Sequence, residues 1–176
     1  MQSMSRAFVK EDDSGEAPII PPRAALPPGT TNYVTPQGLA QLREELTELE
    51  NERSKVEANH EDEANRTRQL TIINGRLNAL TNRIASARVV DIHNQPQDEV
   101  RFGARIKLRT LSGGKKNFIR VFAIVGVDEA SIENGKIAFV APIARAVIGA
   151  RVGDKLKLKM GRVEEEVEVV SINYES

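Results

Sequence analysis

Residues 39–84 read LAQLREELTELENERSKVEANHEDEANRTRQLTIINGRLNALTNRI, and the spacing of their apolar side chains decides the fold. Leu39, Leu42, Leu46, Leu49 and Val56 recur at helical intervals, and so do Leu70, Ile73, Leu77, Leu80 and Ile84. Apolar residues at that period line one face of a helix. Setting Leu49 against Ile73, Leu46 against Leu77, Leu42 against Leu80 and Leu39 against Ile84 centres a chain reversal at about residue 61. The expectation is an antiparallel α-helical coiled-coil hairpin sharing one seam. Its turn, Asn59-His60-Glu61-Asp62-Glu63, carries three consecutive carboxylates. At a helical rise of about 1.5 Å per residue, Leu39 lies on the order of 33 Å from that turn.

Outward from the seam, Thr35 is placed to cap the first helix, with Pro36 at the first helical position, where its missing N–H is harmless. Residues 1–32 hold Pro18, Pro21, Pro22, Pro27 and Pro28 beside the acidic Glu11-Asp12-Asp13, and read as a disordered or extended tail. The hairpin domain then covers residues 33–92, and the polar stretch 93–99, with Pro96, reads as a linker. From Val100 the period changes from helical to strand-like, which marks a β domain over residues 100–176.

Within it, Arg105 to Leu111 and Phe118 to Val125 form a hairpin about Ser112-Gly113-Gly114-Lys115-Lys116, and Lys136 to Val140 is a further strand. Pro142 opens a short apolar helix that Gly149 closes. Near the end, Lys155, Lys157 and Lys159 alternate with leucines, while Glu164, Glu166 and Glu168 alternate on the return. A two-residue turn at Gly161-Arg162 sets Lys155 opposite Glu168, Lys157 opposite Glu166 and Lys159 opposite Glu164. Glu165 falls on the other face, with no evident reason to be there.

Composition narrows the chemistry. Of 176 residues, 28% are charged, 40% hydrophobic and only 4% aromatic, which suits a small β core beside a helical rod. Lys+Arg and Asp+Glu number 25 each, so no global basic field draws the chain to nucleic acid. With no cysteine and only His60 and His93, disulfides, thiolate nucleophiles and His-rich zinc sites are excluded. No apolar run approaches a membrane span and the first residues lack a signal-peptide core, so a soluble cytoplasmic protein is expected.

Among candidate sites, Glu61, Asp62 and Glu63 offer hard oxygen ligands for Mg²⁺, with a simple solvated turn as the alternative. Arg53, Arg66 and Arg68 near the same end either neutralise those acids or meet phosphate. The Ser112 to Lys116 loop lacks the strand–loop–helix setting of a phosphate cradle and reads as a hairpin turn. The apolar run Ala141 to Gly149, interrupted by Arg145, either covers a sheet or docks a partner.

Three motifs in order, Val100-x-Phe102-Gly103-Ala104, Ile124-Val125-Gly126-Val127-Asp128-Glu129-Ala130 and Pro142 to Gly149 followed by Val152-Gly153-Asp154, resemble the Gre family of bacterial transcript cleavage factors, GreA and GreB. Thr35-Pro36-x-Gly38-Leu39-x-x-Leu42-x-x-Glu45-Leu46 and the run Gly75 to Asp91 are similar to the same family. The resemblance implies an α+β protein, with an N-terminal coiled-coil hairpin followed by a C-terminal FKBP-like β domain with a short helix. It implies that the β domain docks at the rim of the RNA polymerase secondary channel while the hairpin enters it. Asp128, Glu129, Pro142, Ile143, Ala144 and Arg145 would meet the partner. Nascent RNA and DNA would be met only within the elongation complex, with no membrane and no small-molecule substrate.

The chain would be no enzyme itself: its tip acids would lend ligands to a Mg²⁺ shared with the polymerase, which hydrolyses backtracked RNA. Two departures open an alternative. Family tips usually read Asp-x-x-Glu-Asn-Ala, whereas Asn59 and His60 stand three before Asp62 and Glu63. Each arm also looks shortened by about two turns, roughly 10 Å. The alternative is a non-cleaving short-coil homologue, similar to the regulator of nucleoside diphosphate kinase, that competes with cleavage factors. A prolyl isomerase, suggested by the FKBP-like domain alone, lacks the tryptophan floor of that active site, and Phe102, Phe118, Phe122 and Phe139 are its few candidate aromatics.

Overall fold

The structure is a computed structural model that describes residues 17–20 and 22–175. The acidic cluster Glu11-Asp12-Asp13 and the start of the expected tail lie outside the described residues. The fold is α+β, and the chain forms two compact units. Of the described residues, one unit comprises 46–81 with those before residue 24, and the other comprises 24–45 and 82–175.

The first long helix, α1 (Pro36–Ala58), starts where the sequence places it: the Gly38 amide donates to Thr35 Oγ1 at 2.9 Å, and Pro36 opens the first turn. The second, α2 (Glu63–Ser86), follows after residues 59–62. Leu42, Leu49, Ile73, Leu77 and Leu80 are buried, while Leu39, Leu46, Val56, Leu70 and Ile84 are half-buried. The apolar stripes read from the sequence are therefore the faces that leave water, which is what organises helices of low intrinsic hydrophobicity.

Two short parallel strands bracket the helices. In these, β1 (Asn32–Val34) pairs with β2 (Ala87–Val89), setting Asn32 beside Ala87 and Val34 beside Val89. Asn32 Nδ2 donates to the Arg83 carbonyl at 3.0 Å and to Ser86 Oγ at 3.2 Å, satisfying groups that the end of α2 would leave open.

The five-stranded sheet consists of β3 (Arg105–Ser112), β4 (Ile119–Val125), β5 (Lys136–Ala138), β6 (Lys155–Met160) and β7 (Val163–Asn173), in the spatial order β5-β4-β3-β7-β6. Only the β4–β5 pair is parallel. The β6–β7 register sets Lys155 against Glu168, Lys157 against Glu166 and Lys159 against Glu164, as the alternation of charges requires. The core lies on one face of this sheet: Ile106, Leu108, Phe122, Ile124, Leu158, Val167 and Val169 meet Ala144 and Val147 of the short helix α3 (Pro142–Val147).

Glu165, unexplained by sequence, is a buried ion-pair partner. Arg120 Nη2 lies 2.8 Å from its Oε2, Thr110 Oγ1 donates to its Oε1 at 3.2 Å, and Arg120 Nη1 reaches Thr110 Oγ1 at 3.1 Å. The β3–β4 loop closes over this group. At Gly113 (φ +79°) a Cβ would fall 2.1 Å from the Glu164 carbonyl oxygen, so the turn needs glycine.

Residues 93–99 are tied to the β unit. Ile92 is part of its core, Gln95 Nε2 donates to the Phe102 carbonyl at 3.0 Å, and Tyr174 Oη accepts from the Arg101 amide at 2.8 Å while donating to the Glu99 carbonyl.

Candidate functional site

The turn between α1 and α2 is built by its own polar groups. Asp62 precedes the first residue of α2, and its Oδ1 accepts the Asn65 amide at 3.1 Å while its carbonyl accepts the Arg66 amide at 2.9 Å. Asp62 is thus the N-cap of α2, and its charge is favourable beside the helix dipole. Glu63 Oε1 lies 3.0 Å from His60 Nδ1, and Glu63 Oε2 lies 3.5 Å from Arg66 Nη1. The His60 hydrogen bond above all holds the Glu63 carboxyl below its usual range; slight desolvation opposes it and the Arg66 charge adds to it. Arg66 also spans back to α1, donating from Nε and Nη2 to the Glu57 carbonyl at 3.1 and 2.9 Å. Glu61 is exposed, and its amide donates to Asn59 Oδ1 at 3.1 Å.

Glu61 and Asp62 line one small concavity at the tip, whose wall does not include Glu63. Asp62 commits an oxygen to its helix and Glu63 commits both of its oxygens to His60 and Arg66. Among the described residues no three His, Cys, Asp or Glu side chains come together to hold a metal ion. A Mg²⁺ at this tip would meet at most one or two of its carboxylates and would take the rest of its oxygen octahedron from water or another macromolecule. Asp62 as cap was findable from sequence, since an Asp just ahead of a helical pattern is a start signal. The pairing of His60 and Arg66 on Glu63 needed geometry.

The candidate partner-binding residues of the β unit divide in two. Asp128 and Glu129 are turned inward: Asp128 Oδ2 pairs with Arg83 Nη1 at 3.0 Å, and Glu129 accepts from Thr35 Oγ1 and lies 3.5 Å from Lys136 Nζ. Their side chains are 7% and 4% exposed. Thr35 is the cap of α1, so one hydroxyl both starts a helix and holds a buried carboxylate. Gly38 belongs to this contact, because a Cβ there would fall 2.6 Å from Glu129 Oε1.

On α3, Pro142 and Arg145 are exposed, Ile143 is half-buried and Ala144 is fully buried. The exposed residues continue into Ile148 and Val152, both apolar and open to water. This stretch is a small apolar area that carries two exposed arginines, Arg145 and Arg151. Tyr33, Phe102 and Phe139, far apart in sequence, stack into a triangle with centroids 5.5 to 5.9 Å apart, so these aromatics fill one another's space. Among the described residues, no helix is long and apolar enough to cross a membrane.

Comparison with known proteins gives four findings. The family described as "Transcription elongation factor, GreA/GreB, C-term" matches residues 95–174. Transcription elongation factor GreB of Neisseria meningitidis is 34% identical over 160 residues, covering 82% of this chain and 95% of the relative. GreA of Thermodesulfovibrio yellowstonii is 31% identical over 156 residues, covering 81% and 96%. The solved GreA/GreB structure from Nitrosomonas europaea aligns with a TM-score of 0.40 at 16% identity, over 82% of this chain and 99% of that one.

Proposed function

This chain belongs to the GreA/GreB family of transcription elongation factors, and we propose that it binds bacterial RNA polymerase in the cytoplasm, at the rim of the secondary channel, and modulates elongation by occupying that channel. In this reading α1 and α2 form the antiparallel coiled-coil hairpin that enters the channel. The five-stranded unit is the FKBP-like docking domain, meeting the polymerase through Pro142, Ile143 and Arg145. Asp128 and Glu129, the other candidate partner contacts, are held against Arg83 and Thr35.

One observation carries the choice of a regulator over a cleavage factor: two of the three tip acids are engaged in their own turn, Asp62 as helix cap and Glu63 between His60 and Arg66. A carboxylate so engaged is a poor donor to a metal held by another protein. The tip spacing, which lacks Asp-x-x-Glu, and the short arms support the same reading. Glu61, Asp62 and Glu63 then line an obstructing tip, and the chain competes with cleavage factors for one rim.

The test uses stalled elongation complexes. The chain is expected to bind polymerase, to add no Mg²⁺-dependent transcript cleavage and to inhibit cleavage by an added Gre factor. Cleavage that rises on adding this chain and disappears in Asp62→Ala or Glu63→Ala would establish the opposite role.

A further inference from the structure

The core occupies one face of the five-stranded sheet, and the other face is open. Along β3 the open face presents Arg105, Lys107 and Arg109, alternating with the buried Ile106, Leu108 and Thr110. Alternate residues on a strand stand about 6.8 Å apart, so these three cations form a straight row. Across the row, the register sets Asn173 beside Arg105 and Ser171 beside Lys107 on β7, and Val121 and Ile119 beside Lys107 and Arg109 on β4. Arg109 is paired with Glu168 at 2.8 Å. Among the described residues, no carboxylate lies within ion-pair distance of Arg105 or Lys107.

Two concavities meet at this row. A groove of about 270 Å³ is lined by Arg105, Lys107, Val121, Ser171 and Asn173. A second, of about 360 Å³, also touches Arg105 but is lined by Asp91, Glu129 and Glu175 as well as by His93 and Lys136, so the cationic character belongs to the first groove. The first groove therefore offers a guanidinium, an ammonium, a hydroxyl and a carboxamide, flanked by an aliphatic wall. Cationic and hydroxyl or amide donors of this kind are the set that contacts phosphate and sugar oxygens.

We propose that this open sheet face is a binding site for the sugar-phosphate backbone of single-stranded RNA. A polypeptide is the poorer fit. The groove lies over β3, whose backbone is already paired on both sides by β4 and β7, so an incoming strand finds no free edge to extend. A nucleic-acid backbone needs only the donors. Without an exposed aromatic ring on β3 to stack a base, the site reads charge and sugar rather than sequence, and binding is salt-dependent. The inference is independent of the polymerase reading, since it concerns the free chain and a free oligonucleotide.

The test is fluorescence anisotropy of a labelled single-stranded RNA oligonucleotide with the full chain, over a salt series and without polymerase. Arg105→Glu/Lys107→Glu is expected to weaken binding about tenfold and to lower the salt slope by about 1.4, the share of two phosphates. Arg76→Glu/Arg162→Glu, which changes net charge equally at exposed sites elsewhere, is expected to leave binding within about twofold. Arg105→Gln/Lys107→Gln repeats the loss without charge reversal, and circular dichroism checks that each variant is folded. Absence of binding at low salt, equal loss in both reversed pairs, or displacement of the RNA by polyglutamate as readily as by unlabelled RNA would each overturn the proposal.

Discussion

Arg83 Nη1 lies 3.0 Å from Asp128 Oδ2, and both side chains are almost wholly withdrawn from water, at 10% and 7% exposure. Arg83 comes from the end of α2 and Asp128 from the loop after β4, so the pair joins the helical segment to the β unit. Removing one member of a buried pair leaves the other charge in a poor solvent. Arg83→Ala is expected to lower unfolding free energy by about 3–5 kcal/mol, read from urea denaturation. Loss of less than about 1 kcal/mol, the range of an exposed pair, would contradict the burial.

Glu165 gives a second stability prediction with a built-in control. Glu165→Ala strands Arg120 and is expected to be destabilising by about 3 kcal/mol. Arg120→Met/Glu165→Leu removes both charges and is expected to recover most of that loss, since apolar replacement of a buried pair is often neutral. Denaturant midpoints of the two variants, at unchanged slope, decide it.

Asp62 separates capping from charge. Asp62→Ser keeps an N-cap acceptor and removes the carboxylate, whereas Asp62→Ala removes both. If the residue acts through α2, Ala costs about 1 kcal/mol and Ser far less. Any effect on polymerase that follows Ala and spares Ser then comes from the shape of the turn. An equal effect of both would point to the carboxylate itself.

The His60–Glu63 contact has a pH signature. The Glu63 pKa is depressed in the folded state, so its contribution to stability is present above the ordinary glutamate value, near 4.3, and is lost as pH falls through the folded value. Carbon-detected NMR titration is expected to find Glu63 ionising below that ordinary value. His60→Ala should raise it, because the hydrogen bond from His60 is the largest cause.

Tyr174 shifts the other way. Burial raises its hydroxyl pKa, against the opposing hydrogen bond from the Arg101 amide. A raised folded pKa means stability is intact below the ordinary tyrosine value, near 10, and declines as pH rises through the folded one. Tyr174→Phe is expected to flatten the alkaline limb of the stability profile, measured by denaturation at a series of alkaline pH values.

Features with a local period were legible in the sequence. The leucine spacing predicted which faces of α1 and α2 are buried, Thr35-Pro36 predicted the helix start, and the Lys/Glu alternation predicted the β6–β7 register residue by residue. Each depends on neighbours within a few positions. What sequence did not reveal depends on residues far apart. The β1–β2 pair joins segments about fifty residues distant and only three residues long, too short to carry a pattern. Glu165 looked misplaced because its partner, Arg120, is two strands away in space. At the tip the acids were plain to see, but their partners, the Asn65 amide and Arg66, decide what they can do.

The parallel pairing of β1 with β2 has an evolutionary consequence. The chain leaves for α1 and returns from α2 at adjacent, hydrogen-bonded positions, with Asn32 latching the return onto Arg83 and Ser86. Everything between is therefore a cassette whose two ends are clamped together, whatever its length. Whole turns can be added to or deleted from both arms in step without altering the entry point, so reach evolves separately from docking. A lineage can shorten the cassette while leaving the β unit that follows it unchanged.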